Sequence, residues 1–231
     1  MNLYPLGDSA VVIELGKEIN EQIHHKVRVL SAYLDEHPFP GMVEYVPAFT
    51  TVTVFYDPVQ FGSSPYRHVC TVIKNFAAGL SRIPEEEPRI VEIPVCYGGE
   101  FGPDLEFVAD HNGLTPEEVI SIHSSGDYLV YMVGFAPGFP YLGGMPGKIA
   151  TPRRSSPRLS IPAGTVGIGG TQTGVYPIET PGGWQLIGRT PLPLFRSNEN
   201  PPALLQAGDR IRFRPISRQE YAEQKETPIC L

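Results

Sequence analysis

The stretch that decides the fold is Val133–Phe195, which reads VGFAPGFPYLGGMPGKIATPRRSSPRLSIPAGTVGIGGTQTGVYPIETPGGWQLIGRTPLPLF. It holds 13 of the chain's 24 glycines and its one tryptophan, Trp184. Glycine permits positive φ angles and close backbone approach, and proline fixes φ and removes a hydrogen-bond donor. Large apolar residues are interleaved with both, which argues against disorder. The stretch therefore predicts a folded β structure with short strands and many turns.

The composition of the whole chain limits its class. With 231 residues, of which 41 % are apolar and 19 % charged, it is typical of a globular protein of one or two domains. The net charge of −7 disfavours a nucleic-acid partner, because no domain-wide basic surface is available to phosphates. No apolar run is long enough to span a membrane and no signal-peptide pattern opens the chain, so we expect a cytoplasmic protein. Three widely spaced cysteines predict reduced thiols rather than a disulfide framework or a zinc site.

Upstream of the glycine-rich stretch, helix and strand patterns alternate. The predicted elements are a strand at 10–15, a helix at 21–36 capped by Asn20, strands at 42–47 and 51–56, and a helix from Pro65. His24 and His25 fall outside the apolar stripe of the first helix, so we expect them on its solvated face. If the strand pattern at 90–95 returned to this group, the result would be a ferredoxin-like split βαβ unit. The same strand could equally open a second domain.

A domain boundary is predicted at Ile83–Arg89, where two prolines bracket three glutamates in an extended, solvated pattern. We predict an α/β domain at 1–86, a β-barrel domain at 87–216 and a frayed polar tail at 217–231. In the second domain, a capping box at 115–118 predicts a helix over 116–124, followed by a buried strand at 128–133 and a final hairpin at 204–215.

Familiar nucleotide, metal and nucleophile motifs are missing from the sequence. Gly147-Lys148 lacks the first glycine and the Ser or Thr of a Walker A loop, and Gly167-Ile168-Gly169 has Gln172 where a dinucleotide fingerprint needs glycine. There is no GxSxG, HExxH or CxxC. We therefore expect no bound cofactor or metal. If the chain takes part in ATP-driven chemistry, we expect the nucleotide on another subunit.

A candidate anion site remains. Arginine forks beside a glycine-rich run with many free backbone N–H groups favour carboxylates or phosphates. The candidate binding residues are Arg153, Arg158, Gln172, Tyr176 and Trp184. The alternatives are that the aromatic residues belong to the barrel core and that the arginines are solvated surface charges. His123 precedes the buried strand and could act as a base, although a hydrogen-bonded structural histidine is the alternative.

Several ordered motifs carry a resemblance to a known family. GFAPGFPYL at 134–142, PAGTVGI at 162–168, QTGVYP at 172–177 and TPGGWQLIGRT at 180–190 resemble the KipI family. This is the family of the B subunit of bacterial 5-oxoprolinase, also called allophanate hydrolase subunit 1. The resemblance covers nearly the whole chain. It is more specific for the family than for the activity.

The resemblance implies a fold, partners and an activity. The fold would be α+β, with a small ferredoxin-like α/β domain followed by a cyclophilin-like β barrel. The partners would be the A and C subunits of 5-oxoprolinase, the latter with a related barrel. Together they hydrolyse 5-oxo-L-proline to glutamate with ATP, and this chain would be inactive alone. One member inhibits a sporulation sensor histidine kinase by protein–protein contact, which gives an alternative function. Prolyl isomerisation is suggested only by the barrel, and fold does not carry function.

Overall fold

The structure, a computed structural model, describes residues 1–77 and 87–226 of the chain. Contacts divide the chain into two compact units, Met1–Glu87 and Pro88–Leu231. Most of the predicted linker at 83–89 lies outside the described residues, as does Cys230. Cys70 and Cys96 are buried free thiols. Among the described residues, no helix has both the length and the apolar character needed to cross a membrane.

The first unit is an antiparallel sheet with two helices packed on one face. Its elements are β1 (Asn2–Pro5), β2 (Ala10–Glu14), α1 (Glu21–Glu36), β3 (Met42–Pro47), β4 (Thr51–Tyr56) and α2 (Pro65–Ala77). The strand order is β1-β2-β4-β3, and alternate apolar residues of β2 and β4 pack against the helices. The strands and helices predicted in this region are confirmed. The short edge strand β1 was not predicted.

The first helix shows one prediction confirmed and one wrong. The Asn20 side chain accepts a hydrogen bond from the Ile23 N–H at 2.9 Å, so the helix begins where its N-cap predicts. The prediction that His24 lies on the solvated face is wrong, because its exposed fraction is 3 %. His24 precedes the buried Val27 by three positions, and residues at that spacing share a helix face.

The second unit is a seven-stranded, nearly closed barrel-like sheet with flanking helices. Its elements are β5 (Ile90–Tyr97), α3 (Leu105–Asn112), α4 (Pro116–Ser124), β6 (Tyr128–Val133), β7 (Pro140–Gly143), β8 (Arg158–Ile161), β9 (Thr165–Gly169), β10 (Gln172–Val175), β11 (Thr180–Gly182), β12 (Gln185–Arg189), β13 (Arg210–Pro215) and α5 (Arg218–Glu226). The strand order is β10-β9-β12-β5-β13-β6-β7, and β8 pairs with β11 as a separate ribbon. The end strands β10 and β7 lie against each other, which nearly closes the sheet around its apolar interior.

The placement of β5 decides between the two alternatives for that strand. It pairs in parallel with β13 and antiparallel with β12, both in the second unit. Within the described residues, the first sheet therefore has no returning strand from this segment. The ferredoxin-like arrangement of the first unit is not confirmed, whereas the α+β class is.

Two predictions near the C-terminus are wrong. Residues 204–215 do not form a hairpin, because only Arg210–Pro215 is a strand and it lies between β5 and β6. Alternation of apolar and charged residues identifies a strand, but it does not name the strand's partner. The tail is not frayed over its described part, since α5 extends to Glu226. Tyr221 of this helix is 7 % exposed and packs with Cys96 and Ile216.

Candidate functional site

The two faces of the β9–β10 hairpin separate the barrel interior from the candidate site. Gln172 is paired with Gly169, and Gly174 with Gly167. Residues directly opposite in an antiparallel pair share a face, so these four residues lie on the outer face of the barrel. Thr173 lies between them on the inner face, because successive side chains of a strand alternate.

Trp184 packs flat on this outer face because glycines leave room for it. A Cβ atom at Gly169 would lie 2.5 Å from the indole nitrogen, and one at Gly174 would lie 3.1 Å from the indole ring. The Phe139 and Tyr176 rings meet the indole edge-on, with centroids 5.9 and 6.2 Å away. This aromatic cluster is therefore fixed by backbone that no larger residue could replace without displacing the indole.

Tyr176 is the titratable member of the aromatic cluster. Its exposed fraction is 3 %, and burial raises the pKa of its hydroxyl. A hydrogen bond with the Trp184 backbone and the positive charges of Arg153 and Arg158 act in the opposite direction on that pKa. The hydroxyl is therefore neutral at physiological pH, and it can orient a ligand but not act as a base.

The arginines are organised by a carboxylate that the sequence analysis did not select. Asp104 is 6 % exposed, and its Oδ1 accepts hydrogen bonds from Arg158 at 2.8 Å and from Arg154 at 3.4 Å. Its Oδ2 accepts the Leu186 N–H at 2.7 Å. One buried carboxylate thus joins the start of α3, β12 and the loop before β8 that carries Arg153 and Arg154, which we call the arginine loop.

The loop before β8 is also fastened to the turn that carries Trp184. The Arg154 N–H donates to the Gly183 carbonyl at 2.7 Å, and the Gln185 amide donates to the Pro152 carbonyl at 2.8 Å. The Arg153 guanidinium lies 5.8 Å from the centroid of the Trp184 ring, within range of a cation–π interaction. Arginine loop and indole therefore form one structural unit.

One guanidinium nitrogen of Arg158 has no hydrogen-bond partner among the described residues. Its Nη2 is bound to Asp104, but its Nη1 is buried with no hydrogen-bond partner in the described part of the chain. A buried charged donor left unpaired costs free energy. An acceptor from outside the chain, such as a carboxylate oxygen, would satisfy this donor if the Arg158 side chain, which is 25 % exposed, turned towards it.

His123 lies on the other side of the sheet. The Thr173 hydroxyl donates to the Gly167 carbonyl at 3.0 Å, so it accepts from His123 Nε2 at 2.9 Å. Nδ1 of His123 then accepts from the Tyr97 hydroxyl at 2.8 Å. The ring is completely buried, and that burial lowers the pKa of His123 to about 3. These contacts favour the structural alternative for His123 over a catalytic base.

Of the five predicted binding residues, Arg153 and Tyr176 lie against the indole of Trp184, the charge of Arg158 acts on Tyr176, and Gln172 shares the face of the sheet on which Trp184 lies. Gln172 lies on the Trp184 side of the sheet, but it is not joined by a hydrogen bond to the arginines in this structure. Asp104 and Gln185 were missed because their roles depend on partners 54 and 33 positions away, which no local pattern shows. The charge of Asp104 just before a helix was the available signal.

The candidate binding residues Arg153, Arg158, Gln172, Tyr176 and Trp184 are called the outer-face site below. This site offers groups that suit ligand binding but few that could act as a catalytic acid, base or nucleophile. It offers guanidinium donors, an amide, a neutral phenol and an aromatic wall. The described residues contain no group of three or more His, Cys, Asp or Glu side chains that could hold a metal ion. Such a site suits a small anion that also has an apolar surface.

Comparison with known proteins supplies the family. Residues 1–205 match the family described as the carboxyltransferase domain, subdomain C and D. The chain belongs to this carboxyltransferase family. The match spans both units and includes every residue of the outer-face site, which confirms the family resemblance seen in the motifs.

Members of the carboxyltransferase family with curated names are similar over most of the chain. Identity is 59 % to the B subunit of 5-oxoprolinase from Bacillus subtilis (strain 168), over 96 % of this chain and 95 % of that protein. It is 44 % to the protein of the same name in Escherichia coli O157:H7, over 92 % of this chain and 94 % of that one. These names favour the 5-oxoprolinase hypothesis over the kinase-inhibitor alternative.

Solved structures agree with the fold and differ in length. TTHA0988 is 34 % identical with a TM-score of 0.76, covering 90 % of this chain but only 40 % of that chain. The uncharacterized protein PH0987 from Pyrococcus horikoshii is 44 % identical with a TM-score of 0.57, covering 95 % of this chain and 100 % of that one. The chain therefore spans less than half of one structural relative and all of another.

Proposed function

We propose that this protein is the B subunit of an ATP-dependent 5-oxoprolinase. It would act with the A and C subunits in the cytoplasm to hydrolyse 5-oxo-L-proline to L-glutamate. The observation that carries the proposal is that three relatives, 43–59 % identical over at least 92 % of this chain, bear the name of the 5-oxoprolinase B subunit.

The outer-face site fits this substrate class. At neutral pH, 5-oxoproline combines a carboxylate with a small, largely apolar lactam ring. The partly exposed Arg158 guanidinium suits the carboxylate, while the Trp184 ring and the buried Tyr176 provide an apolar wall. We assign Arg153, Arg158, Gln172, Tyr176 and Trp184 to substrate contact.

The proposed site binds the substrate without supplying the whole reaction. A lactam is a stable amide, and ATP could activate it by phosphorylating its oxygen. Water exclusion and fixed positive charge favour such a step. The sequence has no nucleotide motif, so we place ATP on a different polypeptide of the complex and expect this chain to be inactive alone.

The proposed partners are consistent with the lengths of the relatives. The matched region of TTHA0988 is less than half of that chain. We propose that the part of TTHA0988 outside this match corresponds to the C subunit. A region that makes up a whole protein in some relatives forms only part of a longer protein in TTHA0988. Such a region is expected to bind the protein that corresponds to the rest of the longer chain.

Reconstitution tests the proposal. The chain is purified alone and with candidate A and C subunits, and glutamate release from 5-oxoproline is followed with and without ATP. We expect activity only in the complete mixture with ATP. Arg158→Ala should abolish it while the circular dichroism spectrum stays native. Arg196→Ala is the matched control, because Arg196 pairs with Glu199 and is not among the five residues assigned to substrate contact. A verified complete mixture with no activity would refute the proposal.

A further inference from the structure

Phe135 has an unusual backbone conformation. Its φ is +64°, and it is the one non-glycine residue with positive φ among the described residues. The Ala136 N–H donates to the Gly134 carbonyl at 2.8 Å, which closes a tight three-residue turn around Phe135. Glycine adopts this conformation freely, whereas a bulky side chain is strained in it.

Burial within the chain does not offset this strain. The Phe135 side chain is 73 % exposed. In the described part of the chain its ring has one aromatic contact, with Phe139 at a centroid distance of 5.6 Å. A residue in such a conformation persists only when the surrounding structure holds it there, and such residues concentrate at functional sites. The chain alone therefore gives no reason for an aromatic residue here.

The Phe135 ring projects from a support of buried aromatic rings. Phe139 is 4 % exposed and is fixed against the rings of Tyr176 and Trp184. The exposed Arg153 lies over the other end of this cluster. Aromatic rings and arginines held in one conformation are typical of the few residues that carry most of the affinity of a protein–protein interface.

We infer that Phe135 is the anchor of a protein–protein contact. The partner would present an apolar pocket for the ring, with carboxylates at its rim for Arg153. A small ligand could cover only one side of so exposed a ring, whereas a protein pocket encloses it. Resting on the proposed function, the inference names the C subunit of the complex as the occupant, since more than half of TTHA0988 lies outside the match to this chain.

Affinity measurements with two variants test this inference. Binding of the full chain to the purified C subunit is measured by calorimetry for the wild type, Phe135→Ala and Phe135→Gly. We expect both variants to weaken Kd by about 30-fold or more, as truncation of an anchor residue does. Phe135→Gly should melt no lower than the wild type, because glycine relieves the strain. Lost affinity without lost stability cannot come from misfolding.

The control is Phe107→Ala, which removes another exposed phenylalanine, from the regular helix α3. It should leave Kd within about 3-fold of the wild type, because most interface truncations are small and this ring lies on a different element. Unchanged binding of both Phe135 variants would overturn the inference while leaving the proposed function intact. No binding of wild type to the C subunit, with no turnover in the full mixture, would instead reject the proposed function. Self-association lost in Phe135→Ala would assign the surface to a second copy of this chain.

Discussion

Asp104→Asn tests whether one buried carboxylate organises the outer-face site. The substitution keeps the size of the side chain but removes its charge and one of its two acceptor oxygens. The new amide could accept from either the Leu186 N–H or Arg158, but not from both with the native geometry. Arg154 and Arg158 would then lose the counter-charge that they share.

The expected cost follows from burial. Removing one partner of a fully buried ion pair costs about 3–5 kcal/mol. The side chain of Arg158 is 25 % exposed and that of Asp104 8 %, so solvent compensates part of the loss. We therefore expect a loss of about 2–3 kcal/mol in the free energy of unfolding, the range of hydrogen bonds to charged groups. This corresponds to a fall in Tm of about 5–10 °C.

Asp209→Asn is the matched control. Asp209 is 1 % exposed, is paired with Arg89, and accepts the Gln206 N–H at 2.8 Å, so it forms the same kinds of contact without touching the outer-face site. Both variants should lose stability when unfolding is followed in urea. Only Asp104→Asn should raise the KM for 5-oxoproline in the reconstituted enzyme, by about 10-fold or more. The reason is that Asp104 would no longer hold the Arg158 guanidinium in position to bind the substrate carboxylate.

Three results would refute the argument about Asp104. An unchanged unfolding midpoint would show that the ion pair contributes nothing to stability. Equal changes of KM in the two variants, measured where both are folded, would show that Asp104 has no specific role in placing Arg158. A fall in kcat at constant KM would also contradict a role in substrate binding.

Three further predictions concern the packing. His123 has a folded pKa of about 3, below its usual value of 6.5, so its neutral form stabilises the fold above pH 6.5 and this contribution is lost as pH falls towards 3. The free energy of unfolding should fall by about 1.4 kcal/mol more per pH unit between about pH 6 and 4 than in His123→Gln, and equal slopes would contradict the assigned burial. Gly169→Ala should cost about 1–3 kcal/mol in urea unfolding and shift the fluorescence of Trp184, the one tryptophan, because the new methyl group meets the indole. Thr115→Ala should cost about 1 kcal/mol by thermal unfolding, since it removes the capping box with Glu118, and an unchanged Tm would show that this cap is dispensable.

Local patterns predicted the elements whose causes are local. The N-cap Asn20, the capping box at Thr115 and the apolar run of β6 each depend on residues within a few positions of one another. Long-range pairings were not accessible in this way. The alternation in β13 correctly predicts a strand, but its neighbours β5 and β6 are distant in sequence. Propensity and periodicity do not specify such pairings.

The residues of the candidate site show the same difference between local signals, which the sequence reveals, and long-range contacts, which it does not. Residue type and clustering selected Arg153, Arg158 and Trp184, because arginine forks beside free backbone N–H groups favour carboxylates or phosphates. Asp104 was not selected, because its partners Arg158 and Leu186 lie 54 and 82 positions away in the sequence. It stands at the N-cap of α3, but its side chain makes no cap hydrogen bond. Only the folded chain shows that it faces the arginines.

The glycine-rich stretch explains why fold and site cannot be separated in this protein. Gly169 and Gly174 have no Cβ atom on the outer face, so the Trp184 ring can lie against the sheet. The turn that carries this ring is fastened to the arginine loop through the Arg154 N–H and the Gly183 carbonyl. The same backbone thus closes the barrel and places the guanidinium groups. If this face binds an anion as proposed, most of the site is already in place in the folded barrel, so binding would depend on the integrity of the barrel.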